Sequence, residues 1–121
     1  MTTHNPKYLS ASSISGDKVK NPQGESLGKI EDLMIDLESG RVTYAVLSFG
    51  GFLGLGDKLF AIPMEALTLD ADDKQFILNI PKEKLDQANG FDKDNWPDMA
   101  DRQWETNIYS HYDYKPYWDQ K

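Results

Sequence analysis

The sequence contains no cysteine among its 121 residues. That excludes a disulfide framework, a thiolate metal site and a cysteine nucleophile. Long apolar runs are also missing, so no segment is suited to cross a membrane as a helix, and no membrane insertion is expected. Basic clusters are scarce: Lys18 with Lys20, and Lys82 with Lys84, are the densest. Against 13 basic side chains stand 20 acidic ones, a formal net charge of −7. Nucleic-acid binding relies on clustered Lys and Arg that displace counterions from phosphate, so direct nucleic-acid contact is not expected. The same sign disfavours an acidic membrane surface. Residues 1–13 are polar and lack the apolar core of a secretory signal, so a cytoplasmic location is the expectation.

What is present suits one modest core. Apolar residues make up 39% of the chain, enough at this length to bury roughly two-thirds of the unfolded surface. Residues 1–13 read as a flexible arm, rich in Ser, Thr and Asn. Residues 14–80 read as closely spaced strands. Asn21-Pro22-Gln23-Gly24 and Glu38-Ser39-Gly40-Arg41 are turn signals. Between them, Leu33, Ile35 and Leu37 alternate with Met34 and Asp36, which predicts a strand with one apolar face. Val42 to Phe49 carries apolar residues on both faces and reads as a central strand. A glycine-rich loop from Gly50 to Asp57 follows, then a strand ending at Pro63, a helical turn at 64–66 and a hairpin around 71–74. Short strands without a long helix between them predict an antiparallel barrel or sandwich.

After Ile80 the pattern changes. Pro81 to about Ala88 reads as a short helix, and a second helix is expected over about 97–109, with Asn95 as a possible cap. Ala100, Trp104, Ile108 and Tyr112 fall on one helical stripe. Residues 91–121 hold eight of the fourteen aromatics. Aromatic mass of that kind completes a small core or docks on another chain. Residues 81–121 are therefore read as a C-terminal extension packing on the barrel or on a partner.

The stretch Asp17-Lys18-Val19-Lys20-Asn21, the run Gly24-Glu25-Ser26-Leu27-Gly28-Lys29-Ile30-Glu31-Asp32 and the run Gly40-Arg41-Val42-Thr43-Tyr44-Ala45-Val46-Leu47 resemble the PRC-barrel domain. So does Gly51 to Leu67, with its Gly56-Asp57-Lys58 and Ile62-Pro63 pairs. Met64 stands where that family often has Trp, an apolar exchange that alters packing rather than fold. The resemblance implies a mainly β fold, a small antiparallel barrel used as a module, here with short helices and the aromatic extension. It also implies contact with other macromolecules rather than catalysis.

The chemistry-bearing residues agree with that expectation. Lys58 is followed by Leu59, so the glycine-rich loop does not match the phosphate-binding pattern. The acidic run from Asp92 does not match a calcium loop, because Trp96 and Pro97 occupy the positions that need a ligand and a glycine, and the run at 70–73 reads as ordinary turn chemistry. His4 and His111 have no nucleophile in a recognisable setting. No catalytic, cofactor-binding or metal residue is assigned. Phe52, Leu53 and Leu55 are large apolar side chains in a glycine-rich loop, which marks a contact surface. With Trp104, Tyr117 and Trp118 they form the candidate interaction set of a non-enzymatic protein-interaction module, expected as a homodimer. Two other readings stay open: a ribosome-associated accessory protein that contacts a basic ribosomal protein, and a small-ligand binder or enzyme with a pocket between barrel and tail.

Overall fold

The computed structural model describes residues 8–50, 57–70, 73–88, 90–116 and 118. Six strands form one curled sheet in the order β4-β3-β2-β1-β6-β5. They are β1 (Lys18–Lys20), β2 (Ser26–Ile35), β3 (Val42–Gly50), β4 (Asp57–Pro63), β5 (Leu67–Asp70) and β6 (Gln75–Leu78). A helical turn, α1 (Ala11–Ile14), precedes them, and a 3-10 turn at Met64–Ala66 links β4 to β5. Helices α2 (Lys82–Asp86) and α3 (Arg102–His111) follow the sheet. The mainly β class is as expected, with one difference in topology: β1 pairs with β6 in parallel, while the other neighbours are antiparallel.

β3 is the centre of the sheet. It pairs with β2 on one side and β4 on the other, and Thr43 to Ser48 are all buried. Its two apolar faces are thus both used: Leu47 and Val46 enter one continuous core with Val19, Ile30, Ile62, Phe76, Leu78 and Leu85. β2 needs three irregularities to follow this curvature. Leu27 is the extra residue opposite β1, Glu31 the extra residue opposite β3, and Thr43 the extra residue on β3 itself. Bulges of this kind increase local twist and bend the strand. At the first of them Gly28 adopts φ +106°, and a Cβ there would collide with the Ser48 carbonyl. Only glycine lets β2 approach β3 so closely.

Residues 11–13, read from sequence as part of a loose arm, join Ile14 in a helical turn. The Ser10 hydroxyl caps it by accepting from Ser13 N, and Ile14 enters the core. The outer edge of β4 is covered by one bridge from the chain after α2, in which Leu59 and Phe91 exchange two backbone hydrogen bonds of 2.9 and 2.8 Å. Covering an exposed edge prevents unwanted strand pairing. α3 begins later than the sequence suggests. Asp101, not Asn95, is its cap, with Oδ1 accepting from Gln103 N at 3.0 Å. Asp98 makes a separate turn by accepting from Ala100 N, which leaves Ala100 outside the helix. α3 closes with Asp113 at φ 63°, where Tyr114 N reaches Tyr109 O and Asp113 N reaches Ser110 O. These two bonds are the Schellman pattern. Among the described residues no helix is long and apolar enough to cross a membrane.

Candidate functional site

A polar contact surrounded by rings helps hold α3 against the sheet. The Tyr44 hydroxyl, on β3, donates to Glu105 Oε2 at 3.2 Å. The other carboxylate oxygen lies 3.5 Å from Arg102 Nη1, one helical turn earlier. Tyr44 also meets Trp104 and Tyr109 edge-on, with centroids 5.4 and 5.8 Å apart. Tilted and edge-on aromatic pairs add to the gain from burial. Burial pushes the Glu105 carboxyl above its ordinary value of 4.5; Arg102 and the Tyr44 hydrogen bond oppose that shift without cancelling it.

Beside this contact lies an open cleft of about 350 Å³. Met34, Ile35, Asp36, Leu37 and Glu38 form one wall, at the end of β2 and its turn into β3. Met99, Ala100, Arg102 and Glu105 form the other, and Thr43 and Tyr44 the floor. Ile35 is 55% exposed and Leu37 93% exposed. The expected apolar strand face therefore ends before them. Two causes combine: the bulge at Thr43 shifts the register after Met34, and Leu37 already belongs to the turn. Asp36 holds that turn by accepting from Glu38 N at 2.9 Å, while Gly40 N bonds to Asp36 O at 2.7 Å. The geometry fixes two aliphatic side chains in solvent at the lip of a cleft.

The candidate residues divide in three. Phe52, Leu53, Leu55 and Tyr117 lie outside the described residues. Trp104 is half-buried on Tyr44. Trp118 is half-buried between Tyr109, at 5.9 Å between centroids, and the Arg102 guanidinium, 3.8 Å from its ring centre. Both tryptophans thus contact their own chain. His111 stands at the other end of α3, its Nε2 3.0 Å from Lys84 O, and it does not line the cleft. Among the described residues no three His, Asp or Glu side chains are gathered as a metal site. Ile35, Leu37, Arg102 and Glu105 were not singled out as site residues from the sequence. The turn signal directly after Leu37 and the i, i+4 spacing of Glu105 with the inward-facing Tyr109 were the available clues.

A search among curated proteins finds no match. The family model of the PRC-barrel domain matches residues 6–85, which covers every strand of the sheet and α1 and reaches into α2, but stops before α3. The match spans two-thirds of the chain and agrees with the curled sheet around one core, so the protein belongs to the PRC-barrel domain family.

Proposed function

We propose that the protein is a non-enzymatic interaction module that docks a partner protein at the cleft between the β2–β3 turn and α3. The exposure of Ile35 and Leu37 carries this reading. Apolar side chains grouped at the rim of a concavity mark interaction sites more often than scattered ones do. Full burial of an exposed side chain such as Leu37 is worth at most about 1.5–3 kcal/mol, and Ile35, already partly covered, gains less. The family's general role as an assembly module agrees with it. The experiment compares immobilised protein with the Ile35→Ser, Leu37→Ser double variant, each exposed to the same lysate, with captured proteins identified by mass spectrometry. Both positions are exposed, so the variant keeps its fold, checked by circular dichroism. A partner held by the parent and lost by the variant supports the reading; a capture that ignores the substitution overturns it.

A second reading is self-association through Phe52, Leu53 and Leu55, favoured by three large apolar side chains set between glycines. Light scattering at high protein concentration reads it directly: a strict monomer removes the homodimer.

A further inference from the structure

Away from the cleft, we propose that the outer face of β1 and β2 binds an extended acidic segment of a partner protein through Lys18, Lys20 and Lys29. The sequence sets Lys18 and Lys20 two residues apart. Folding adds a third cation, because Lys29 on β2 stands directly opposite Lys18 in the antiparallel pair. Val19, between the first two, is buried in the core, and so is Ile30 beside Lys29. Strand alternation therefore turns all three lysines to the other face. Lys18 and Lys29 are exposed and Lys20 is half-buried. Among the described residues none of the three holds a hydrogen bond or an ion pair. The acids nearest in sequence are engaged elsewhere or lie farther off. Asp17 is mostly buried, its Oδ1 3.9 Å from Lys74 Nζ, and Glu25 Oε1 accepts from Asn21 Nδ2 at 2.7 Å. Glu31 and Asp32 lie farther along β2, at the bulge opposite β3, and Asp32 accepts from Leu33 N.

The opposition of Lys18 and Lys29 carries the inference. Directly opposed residues hold their Cβ atoms roughly 4.5–5.5 Å apart, and like charges so placed destabilise a sheet. A carboxylate bound between them replaces that repulsion with two favourable contacts, so binding and stability are coupled. Lys18 and Lys20 repeat about 6.6 Å apart along β1, the spacing of alternate side chains in any extended chain. A segment with acids at alternate positions, laid along β1, meets both and reaches Lys29 across the pair. Phosphate-rich partners fit this face less well. Ser26 and Ile77, the neighbours of Lys20, and Thr68 beyond Ile77 offer no ring for base stacking. A membrane or a nucleic-acid duplex spreads its charge widely and meets the −7 of the whole chain. A short segment meets the local lysines within a screening length of about 8–10 Å.

Fluorescence anisotropy at low salt tests this with three labelled probes: a peptide repeating Glu-Thr, one of equal length repeating Gln-Thr, and an oligothymidylate matching the first in charge. The Glu-Thr peptide is expected to bind at least about tenfold more tightly than either and to weaken as salt is added. Lys29→Gln is expected to weaken that peptide about three- to fivefold. The same substitution removes one of the opposed charges, so it should raise the thermal midpoint of the free protein by about 1–4 °C. Lys93→Gln makes the same change in net charge at an exposed position two residues past the Phe91 bridge, on the outer edge of β4. It is expected to leave binding within about twofold. The inference is overturned by Glu-Thr binding no tighter than Gln-Thr, by equal weakening from the two substitutions, or by a midpoint that Lys29→Gln leaves unchanged or lowers. Oligothymidylate binding as tight as Glu-Thr overturns the acidic protein segment in favour of a phosphate-bearing partner. None of these outcomes involves Ile35 or Leu37, so the docking reading at the cleft is tested separately.

Discussion

The Tyr44 hydroxyl and the Glu105 carboxylate meet at 3.2 Å although 61 residues separate them in sequence. This contact ties α3, which lies beyond the family-matched region, to the central strand within it. It also fixes one corner of the cleft, since both residues line it. Tyr44→Phe keeps the ring against Trp104 and Tyr109 but deprives a buried carboxylate of its donor. Hydrogen bonds to charged groups contribute about 1.5–3 kcal/mol, so a loss in that range is expected from urea unfolding. Hydrogen exchange should rise first in residues 102–111, because α3 loses a buried polar tie to the sheet while the strands keep theirs. Unchanged exchange there would show that ring packing alone holds the helix.

Glu105 makes stability depend on pH in a defined direction. Its carboxyl is raised above 4.5, chiefly because burial disfavours the charged form. The folded state therefore holds the proton more tightly than the unfolded state. The stabilisation is fully present below 4.5 and is lost as pH rises through the higher folded value. Glu105→Gln still offers an oxygen to Tyr44 but does not titrate. The parent's stability relative to this variant is expected to fall as pH rises above 4.5, read from urea midpoints of both proteins across the acid-to-neutral range. A parent-minus-variant difference that rises with pH would mean that the Arg102 pairing outweighs burial.

Gly28 sits where two requirements coincide, a left-handed backbone and the approach of the Ser48 carbonyl. Relaxing either alone does not make room for a side chain. Gly28→Ala is expected to cost about 3 kcal/mol or more, a large share of the stability of a domain of this size. Gly24 is the matched control: its φ is also positive, at +85°, but a Cβ there meets nothing within 4 Å. Gly24→Ala should therefore cost only the backbone strain, about 1–2 kcal/mol. Equal thermal midpoints for the two variants would remove the steric part of this account.

Much of the sheet was legible because β3 announces itself: apolar residues on both faces demand cover on both sides, and the structure supplies it. The turns at 21–24 and 38–41 were legible from Pro and Gly chemistry. The bulges were not. Glu31 and Thr43 are ordinary strand residues, and the register shifts they cause depend on which partner residues they face. The shift at Thr43 acts on Ile35, and Leu37 ends in solvent because it already belongs to the turn. The parallel pairing of β1 with β6 was hidden for a different reason. β1 is three residues long and sends only Val19 inward, too little pattern to specify a partner. The cleft was illegible as a site because its chemistry comes from two distant segments, and because a glutamate one helical turn after an arginine reads as solvent-facing until the helix is docked.

Asn21 is more than a turn residue, and its replacement should show it. Its Oδ1 accepts from Gln23 N at 3.1 Å and Glu25 N at 2.9 Å. Its Nδ2 donates to Glu25 Oε1 at 2.7 Å and to Ile80 O at 3.2 Å. The side chain is buried, so it fastens the β1–β2 turn to the chain leaving β6 and closes the sheet across the parallel β1–β6 pair. Asn21→Ala removes all four bonds and leaves Ile80 O without this donor, an expected loss of about 3 kcal/mol. Asn21→Asp is the sharper test. It keeps the acceptor for the turn but sets a carboxylate against the Ile80 carbonyl and the Glu25 carboxylate. At neutral pH it should therefore destabilise at least as much as alanine, and acidification should restore part of the loss by protonating the new group. An Asn21→Asp protein as stable as the parent at neutral pH would show that the two donor bonds contribute nothing, and that the side chain serves the turn through its acceptor bonds to Gln23 N and Glu25 N alone.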